Sequence, residues 1–502
     1  MIEGILIGLK TAFNLQNISM VFIGCSAGTI IGMLPGLGPM TAIALMIPIT
    51  YGLDPSAGMI LMAGVYYGAV FGGSTSSILI NAPGVASTVA TSFDGYPLAK
   101  QGKAGKALAI AAYSSFAGGT ISAIFLLIAA PSLSVISLSF RSPDYFALMI
   151  LGLTAVAAFS SKGQFLKAIA MTIFGLMLAT VGQDSLSDLS RFTFDNMNLA
   201  DGISFILVAM ATFAMSEALM MIFKKDKSRE DVTNKVSLDQ LGSMKLDKEE
   251  TKSMVKTWPR NSVIGFLIGV LPGAGATIAS FLAYGMERNF AKKEDKEEFG
   301  KGSIRGLAAP ESANNAACSG SFVPLLTLGI PGSGTTAIML GALLAFGVQP
   351  GPNLYNTNPD IFWSVIISMY IGNIVLLILN LPLIPYIARL LAVPRNVLVP
   401  MIIFFSVIGV YLISFNTFDI FLMIFIATVA TILRLYDFPM PPLILAFVLG
   451  GMMETNLRRS LLISDGSFDF LWSRPITVVI LTITIGIVGM QIYNYFKKIK
   501  KN

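Results

Sequence analysis

Histidine occurs nowhere in the 502 residues, and with it go the usual general base, the Ser-His-Asp relay and the commonest transition-metal ligand. Cysteine is nearly as scarce: Cys25 and Cys318 have no metal-like spacing and define no redox framework. Charge is sparse too, at 12% of residues against 54% hydrophobic, and a mean hydropathy of +0.74 excludes an ordinary soluble domain. No Gly-x-x-x-x-Gly-Lys-Ser/Thr stretch is present, which argues against ATP hydrolysis by this chain. An intramembrane hydrolase is disfavoured by the missing histidine and by the lack of a Gly-x-Gly-Asp pattern.

What is present is a series of nearly uncharged windows of about 20 residues, long enough to cross a hydrocarbon core of roughly 30 Å. The chain is expected to be a polytopic membrane protein. Met1 to Gln16 carries Glu3 and Lys10 and lacks a basic start followed by a small-residue cleavage site, so a retained segment is expected, crossing the membrane or lying along it. The net charge of +6 sits in short loops beside apolar segments. This is the positive-inside pattern of a protein in the bilayer, and no nucleic-acid partner is expected.

The chain also repeats itself. Leu34-Pro35-Gly36-Leu37-Gly38 returns as Leu271-Pro272-Gly273-Ala274-Gly275, and each copy is followed by a Pro-Gly pair, Pro83-Gly84 and Pro331-Gly332. Proline removes a backbone donor and glycine weakens a helix, so each element leaves free peptide groups at membrane depth. The polar stretch from Lys224 to Lys256 divides the copies. We expect a first membrane repeat over 1–223, a cytoplasmic linker over 224–257 and a second repeat over 258–502.

Loop charge orients the halves. The loop after the first element lacks basic residues in the first half, at Tyr51 to Pro55, but is rich in them from Glu287 to Arg305 in the second. After the second element the pattern reverses: Lys100, Lys103 and Lys106 follow Pro83-Gly84, whereas Gly347 to Pro352 is free of basic residues. Equivalent loops are therefore expected on opposite sides, as in an inverted-topology repeat. The all-α fold expected has re-entrant hairpins at Ile18 to Tyr51 and Asn261 to Met286, with arms of about 10 residues, and discontinuous helices at the Pro-Gly pairs. About 11 full spans accompany the two hairpins. The C-terminal Lys497-Lys498-Ile499-Lys500-Lys501 falls inside. Arg458, Arg459 and Arg474 fall outside, against the charge rule.

A half-helix beginning after Pro-Gly presents unpaired amide donors and a positive dipole end, which suit a carboxylate and need no buried arginine. The expected substrate site combines Pro35, Gly36, Gly38, Thr41, Pro83 and Gly84 with Pro272, Gly273, Gly275, Thr277, Pro331 and Gly332. The small polar residues nearby, Ser74, Ser76, Ser77, Asn81, Asn314, Asn315, Thr335 and Thr336, complete it. Hydroxyl and freed carbonyl oxygens also match a small hard cation such as sodium. Close-spaced glycine and serine serve helix packing as well, and need bind nothing.

Glu311 admits two readings. It is a buried carboxylate for a coupling cation or proton, together with Asn81 and Asn315, or an interfacial residue offsetting a helix dipole. Asp54 and Asp94 are expected at helix boundaries and turns.

Gly32 to Pro39, Tyr66-Tyr67-Gly68-Ala69 with Phe71 to Ser74, Asp94-Gly95-Tyr96-Pro97, Leu271 to Thr277, Ala309-Pro310-Glu311-Ser312-Ala313-Asn314-Asn315-Ala316 and Leu328 to Gly332 resemble the large membrane subunit of the tripartite tricarboxylate transporters, the TctA family. The resemblance runs closely over roughly residues 15 to 355. It implies uptake of citrate or another small carboxylate driven by an ion gradient, sodium or proton, across the cell's inner (cytoplasmic) membrane. It also implies two partners, an extracytoplasmic substrate-binding protein and a small membrane subunit of about four spans. A channel is the alternative reading, since re-entrant loops also build carbonyl-lined filters.

Overall fold

Each Leu-Pro-Gly-x-Gly stretch ends one helix and starts another. The computed structural model describes residues 1–158, 164–184, 189–223, 242–387 and 393–499. The first element separates α2 (Leu15–Met33) from α3 (Gly38–Thr50), after a short α1 (Ile2–Ala12). The first Pro-Gly pair separates α4 (Pro55–Ile80) from α5 (Val89–Leu98), with a 3-10 turn at Ala86–Thr88 between them. Plain helices follow: α6 (Ala104–Ser137), α7 (Ser142–Ala158), α8 (Phe165–Ala179) and α9 (Phe205–Phe223), which contains a π turn at Met210–Met215.

The second half repeats the order. α10 (Lys248–Val270) and α11 (Gly275–Phe290) flank the second Leu-Pro-Gly. α12 (Ile304–Gly320), α13 (Phe322–Leu328) and α14 (Gly334–Ala345) surround the second Pro-Gly. Then come α15 (Pro359–Asn380), α16 (Arg395–Ser414), α17 (Thr417–Leu435), α18 (Pro441–Ile463) and α19 (Pro475–Ile499).

The fold is therefore that of an all-α, multi-pass membrane protein, with one small exception: Gly182–Gln183 pairs antiparallel with Ser190–Arg191. Among the described residues seven helices are long and apolar enough to cross a bilayer, and five more are apolar but shorter. That is fewer than the expected count of about 11, because helices such as the 17-residue α7 fall short of the roughly 20 residues a perpendicular crossing needs. The hairpin arms differ in the other direction. They measure 19 and 13 residues in the first half and 23 and 16 in the second, longer than the expected ten or so.

The long arm α10 has a local cause. Asp247 and Glu250 form a capping box, each side chain bonding the other's backbone N–H, so the helix starts inside the expected linker. Its polar first turns lean on α6 through a Lys106–Glu250 ion pair of 2.7 Å and a Trp258–Ser114 hydrogen bond of 3.0 Å. Residues 224–241 of that linker, and Lys500 and Lys501, lie outside the described residues.

Packing repeats along with the elements. On α2, Gly28 and Gly32 lie against the backbone of Val65 and Ala69 on α4 so closely that a Cβ at either would collide with a carbonyl. On α10, Gly265 and Gly269 meet Ala313 and Ala317 on α12 in the same way. Small residues at four-residue spacing let membrane helices approach backbone to backbone, where dispersion and weak polar contacts replace the hydrophobic drive. The 11-residue α1 spans only about 16 Å. It lies against Trp363 of α15 through Gly4 and Gly8.

Two of the three arginines that break the charge rule, Arg458 and Arg474, have acid partners. Arg474 Nε is 2.8 Å from Asp144, and Arg458 is 2.7 Å from Asp184 and 2.5 Å from Glu454.

Candidate functional site

The breaks come together. One cavity of about 680 Å³ is lined by Gly36 to Thr41 from the first tip, Pro83 to Ser87 from the first Pro-Gly break, Gly273 to Ile278 from the second tip and Ser333 to Thr335 from the second break. Its size is within the roughly 300–1,000 Å³ of small-molecule sites. At the tips the chain turns through Gly36 and Gly273 with φ of 94° and 81°, a region L-residues with a Cβ rarely occupy. The second tip is also tied to the second break, the Gly273 N–H donating to the Gly332 carbonyl at 2.9 Å.

Three helices therefore begin at the cavity wall: α3 at Gly38, α11 at Gly275 and α14 at Gly334. α18 adds a fourth N-terminus at Pro441. Among the described residues no side chain caps α3 or α11, so first-turn N–H groups and the dipole's positive ends are left for an anion. α14 differs: Ser333 and Thr336 cap it reciprocally, which commits Thr336 to structure. Ser87 is buried on the same wall, and among the described residues its hydroxyl has no hydrogen-bond partner.

Of the residues expected in the substrate site, Gly36, Gly38, Thr41, Pro83, Gly84, Gly273, Gly275, Thr277 and Thr335 line this cavity. Pro35, Pro272, Pro331 and Gly332 belong to the breaks without lining it. Ser76 and Ser77 bond back to the Gly73 carbonyl at 3.1 and 2.8 Å. Asn81 is exposed and left-handed, φ 53°, ending α4.

Sequence reasoning missed Ser87, Glu217 and Arg434. The last two face the cavity as an ion pair, Arg434 Nη2 to Glu217 Oε2, with Arg434 Nη1 donating to Ser216 Oγ at 2.9 Å. Beside the helix ends, which can hold an anion without a buried arginine, one guanidinium thus stands on the cavity wall. Arg434 lies in the last turn of α17, where a cation offsets the dipole, and this masked it.

Glu311 lies apart from the cavity wall. It sits within α12, fully buried, and accepts hydroxyl hydrogen bonds from Ser74 of α4 at 2.8 Å, from Ser115 of α6 at 2.7 Å and from Thr91 of α5. The helix-start reading falls, since the first turn of α12 is two turns away and Ser303 caps it. Ser74 therefore serves Glu311, and Thr91 and Ser115 join a set in which Asn81 has no place. Asn315 is one turn along, its amide donating to the Glu311 carbonyl at 3.0 Å and to Asn314 at 2.7 Å. Asp94 likewise departs from the turn expected for it. It is buried inside α5, and its Oδ1 accepts the backbone N–H groups of Gly300, Gly302 and Ser303 at 2.8 to 2.9 Å, tying the first break to the loop before α12. Asp54 does cap α4, accepting from the Ser56 N–H at 3.0 Å.

The family profile described as "Tripartite tricarboxylate transporter TctA family" matches residues 18–445, which takes in both tips, both breaks, Glu311 and Arg434. The chain belongs to the TctA family. It is 42% identical over 488 residues to an uncharacterised 52.8 kDa protein in the TAR-I ttuC' 3' region of Agrobacterium vitis, covering 97% of this chain and 95% of that one. It is also 44% identical over 217 residues to an uncharacterised protein in the TAR-II ttuC' 3' region of the same organism, covering 43% of this chain and 89% of that one. No solved structure matches. As a TctA-family protein the chain is a transporter component and not an enzyme. Tripartite transporters of this kind in general include a binding protein and a small membrane component.

Proposed function

We propose that this TctA-family chain is the large permease subunit of a binding-protein-dependent secondary transporter, taking up tricarboxylates or other small carboxylates across the cytoplasmic membrane. The convergence of two hairpin tips and two broken helices on one cavity carries this reading. A carboxylate there meets uncapped N–H groups of α3 and α11 and the free hydroxyl of Ser87, in place of its hydration shell. The extracytoplasmic binding protein delivers the substrate, and the small membrane subunit completes the assembly. An ion gradient, sodium or proton, drives uptake, and Glu311 with its hydroxyl cage is the coupling group.

The two halves form an inverted repeat in this reading. The hairpins and broken helices move as one unit against a scaffold that includes α7, α9 and α17, an elevator-like cycle with the cavity at the boundary. Counterflow in proteoliposomes tests the carrier: exchange of labelled carboxylate and accumulation against a gradient are expected, whereas fluxes near diffusion rates make it a channel. Motion is tested by a crosslink. Thr41 Oγ1 on α3 lies 3.3 Å from the Phe213 carbonyl on α9, so cysteines at these positions, once joined, should stop uptake; undiminished uptake defeats the moving-unit scheme.

A further inference from the structure

Helix ends explain how the cavity holds one carboxylate, and they leave a full cation on its wall unexplained. An N-terminus contributes roughly half an elementary charge and a few N–H donors. Arg434 contributes a whole charge and a planar fork of five donors. Ser216 and Glu217 hold two corners of that fork. The rest keeps access to the cavity: 24% of the Arg434 side chain is exposed against 11% for Glu217. Glu217 also faces the first tip, because a Cβ added at Gly36 would stand 3.1 Å from its Oε1.

This arrangement matters for anion valence. With Glu217 as counter-ion, the pair is neutral when the cavity is empty, which avoids an isolated charge in a partly dry site. A ligand with one carboxylate is satisfied at the helix ends and has no group to offer the guanidinium. A ligand with two can place the second on the fork, where paired N–H donors bind a planar carboxylate bidentately.

We propose that Arg434 is a specificity-determining residue that makes the cavity prefer anions with at least two carboxylates, and that Glu217 positions its guanidinium and competes with the second carboxylate. The inference rests on the cavity being the carboxylate site. Succinate and succinamate form the matched probes, equal in size and differing in one carboxylate. Binding is measured by calorimetry on the purified full-length chain. The native chain should prefer succinate by on the order of tenfold, the value of one charge-assisted contact. Arg434→Gln should cut that preference to below about threefold, read as the ratio of the two affinities because the unpaired Glu217 carboxylate then faces both anions, with the fold checked by thermal unfolding. Arg434→Lys should fall between, since an ammonium keeps the charge and loses the fork. A tenfold preference that survives Arg434→Gln, or native protein that binds both probes equally, overturns the role of Arg434 and leaves the carboxylate site standing. Binding of neither probe overturns both.

Discussion

Two buried glutamates show how differently one residue type can be held. Glu287, at the foot of α11, accepts from Arg305 Nε at 2.8 Å and from Asn261 at 3.2 Å, and pairs with Arg260 as well. Burial pushes its carboxyl up, but the hydrogen bonds from Arg305 and Arg260 outweigh burial and hold it below the ordinary glutamate value. Glu311 is held differently: among the described residues, the hydroxyls of Ser74, Thr91 and Ser115 donate to it, and no arginine does. Hydroxyls can donate to a carboxylate, turn to accept from a carboxylic acid, or point lone pairs at a small cation. A structural glutamate has little use for such adaptable partners, whereas a group that changes its proton or ion each cycle needs them. Glu311→Gln should therefore separate uptake from its driving gradient. Reconstituted protein with this change is expected to exchange substrate but to lose accumulation under imposed sodium or pH gradients. Accumulation equal to the native protein's removes Glu311 from coupling.

At the scale of elements, the breaks were legible because proline and glycine act on their own backbone. Pro35-Gly36, Pro83-Gly84, Pro272-Gly273 and Pro331-Gly332 all interrupt helices as the residues alone require. The partners of Glu311 and Arg434 were not legible, because those pairings join residues such as Glu217 and Arg434 that lie 217 positions apart. The length of α10 sat between these cases: Asp247-x-x-Glu250 was readable as a capping box, yet the surrounding charge made it look like loop. Glycine contacts on α2 and α10 give this scale its test. Gly32→Ala and Gly269→Ala each drive a Cβ into the backbone of the partner helix, and each should cost about 1–3 kcal/mol by overpacking. Gly285→Ala on α11 is the control, since its Cβ would enter open space, and alanine favours helix by up to about 1 kcal/mol. Thermal unfolding in detergent should fall for the first two and hold or rise for the third. A Gly32→Ala protein as stable as native would mean that the α2–α4 contact is looser than its geometry.

For the whole molecule the open matter is orientation, because the same packing serves halves that face alike or opposite ways. Gly84 approaches the Gly32 carbonyl as Gly332 approaches that of Gly269, so the break-to-tip contact is common to both halves. Contacts within one half contain no reference to the membrane. Loop charge does: Lys103 follows the first break, while Lys301 follows the second hairpin. If the halves are inverted, those two positions share the cytoplasmic side, with Tyr51 and Gln349 on the other. All four residues are exposed, so cysteines there should be tolerated and open to reagent. In sealed cells a membrane-impermeant maleimide is expected to label Tyr51→Cys and Gln349→Cys, and to label Lys103→Cys and Lys301→Cys only after permeabilisation. Parallel halves give a different pairing, Tyr51 with Lys301 and Lys103 with Gln349. That result would leave the shared cavity intact but would remove the symmetry by which the two hairpins reach it from opposite faces, and with it the simplest physical basis for alternating access.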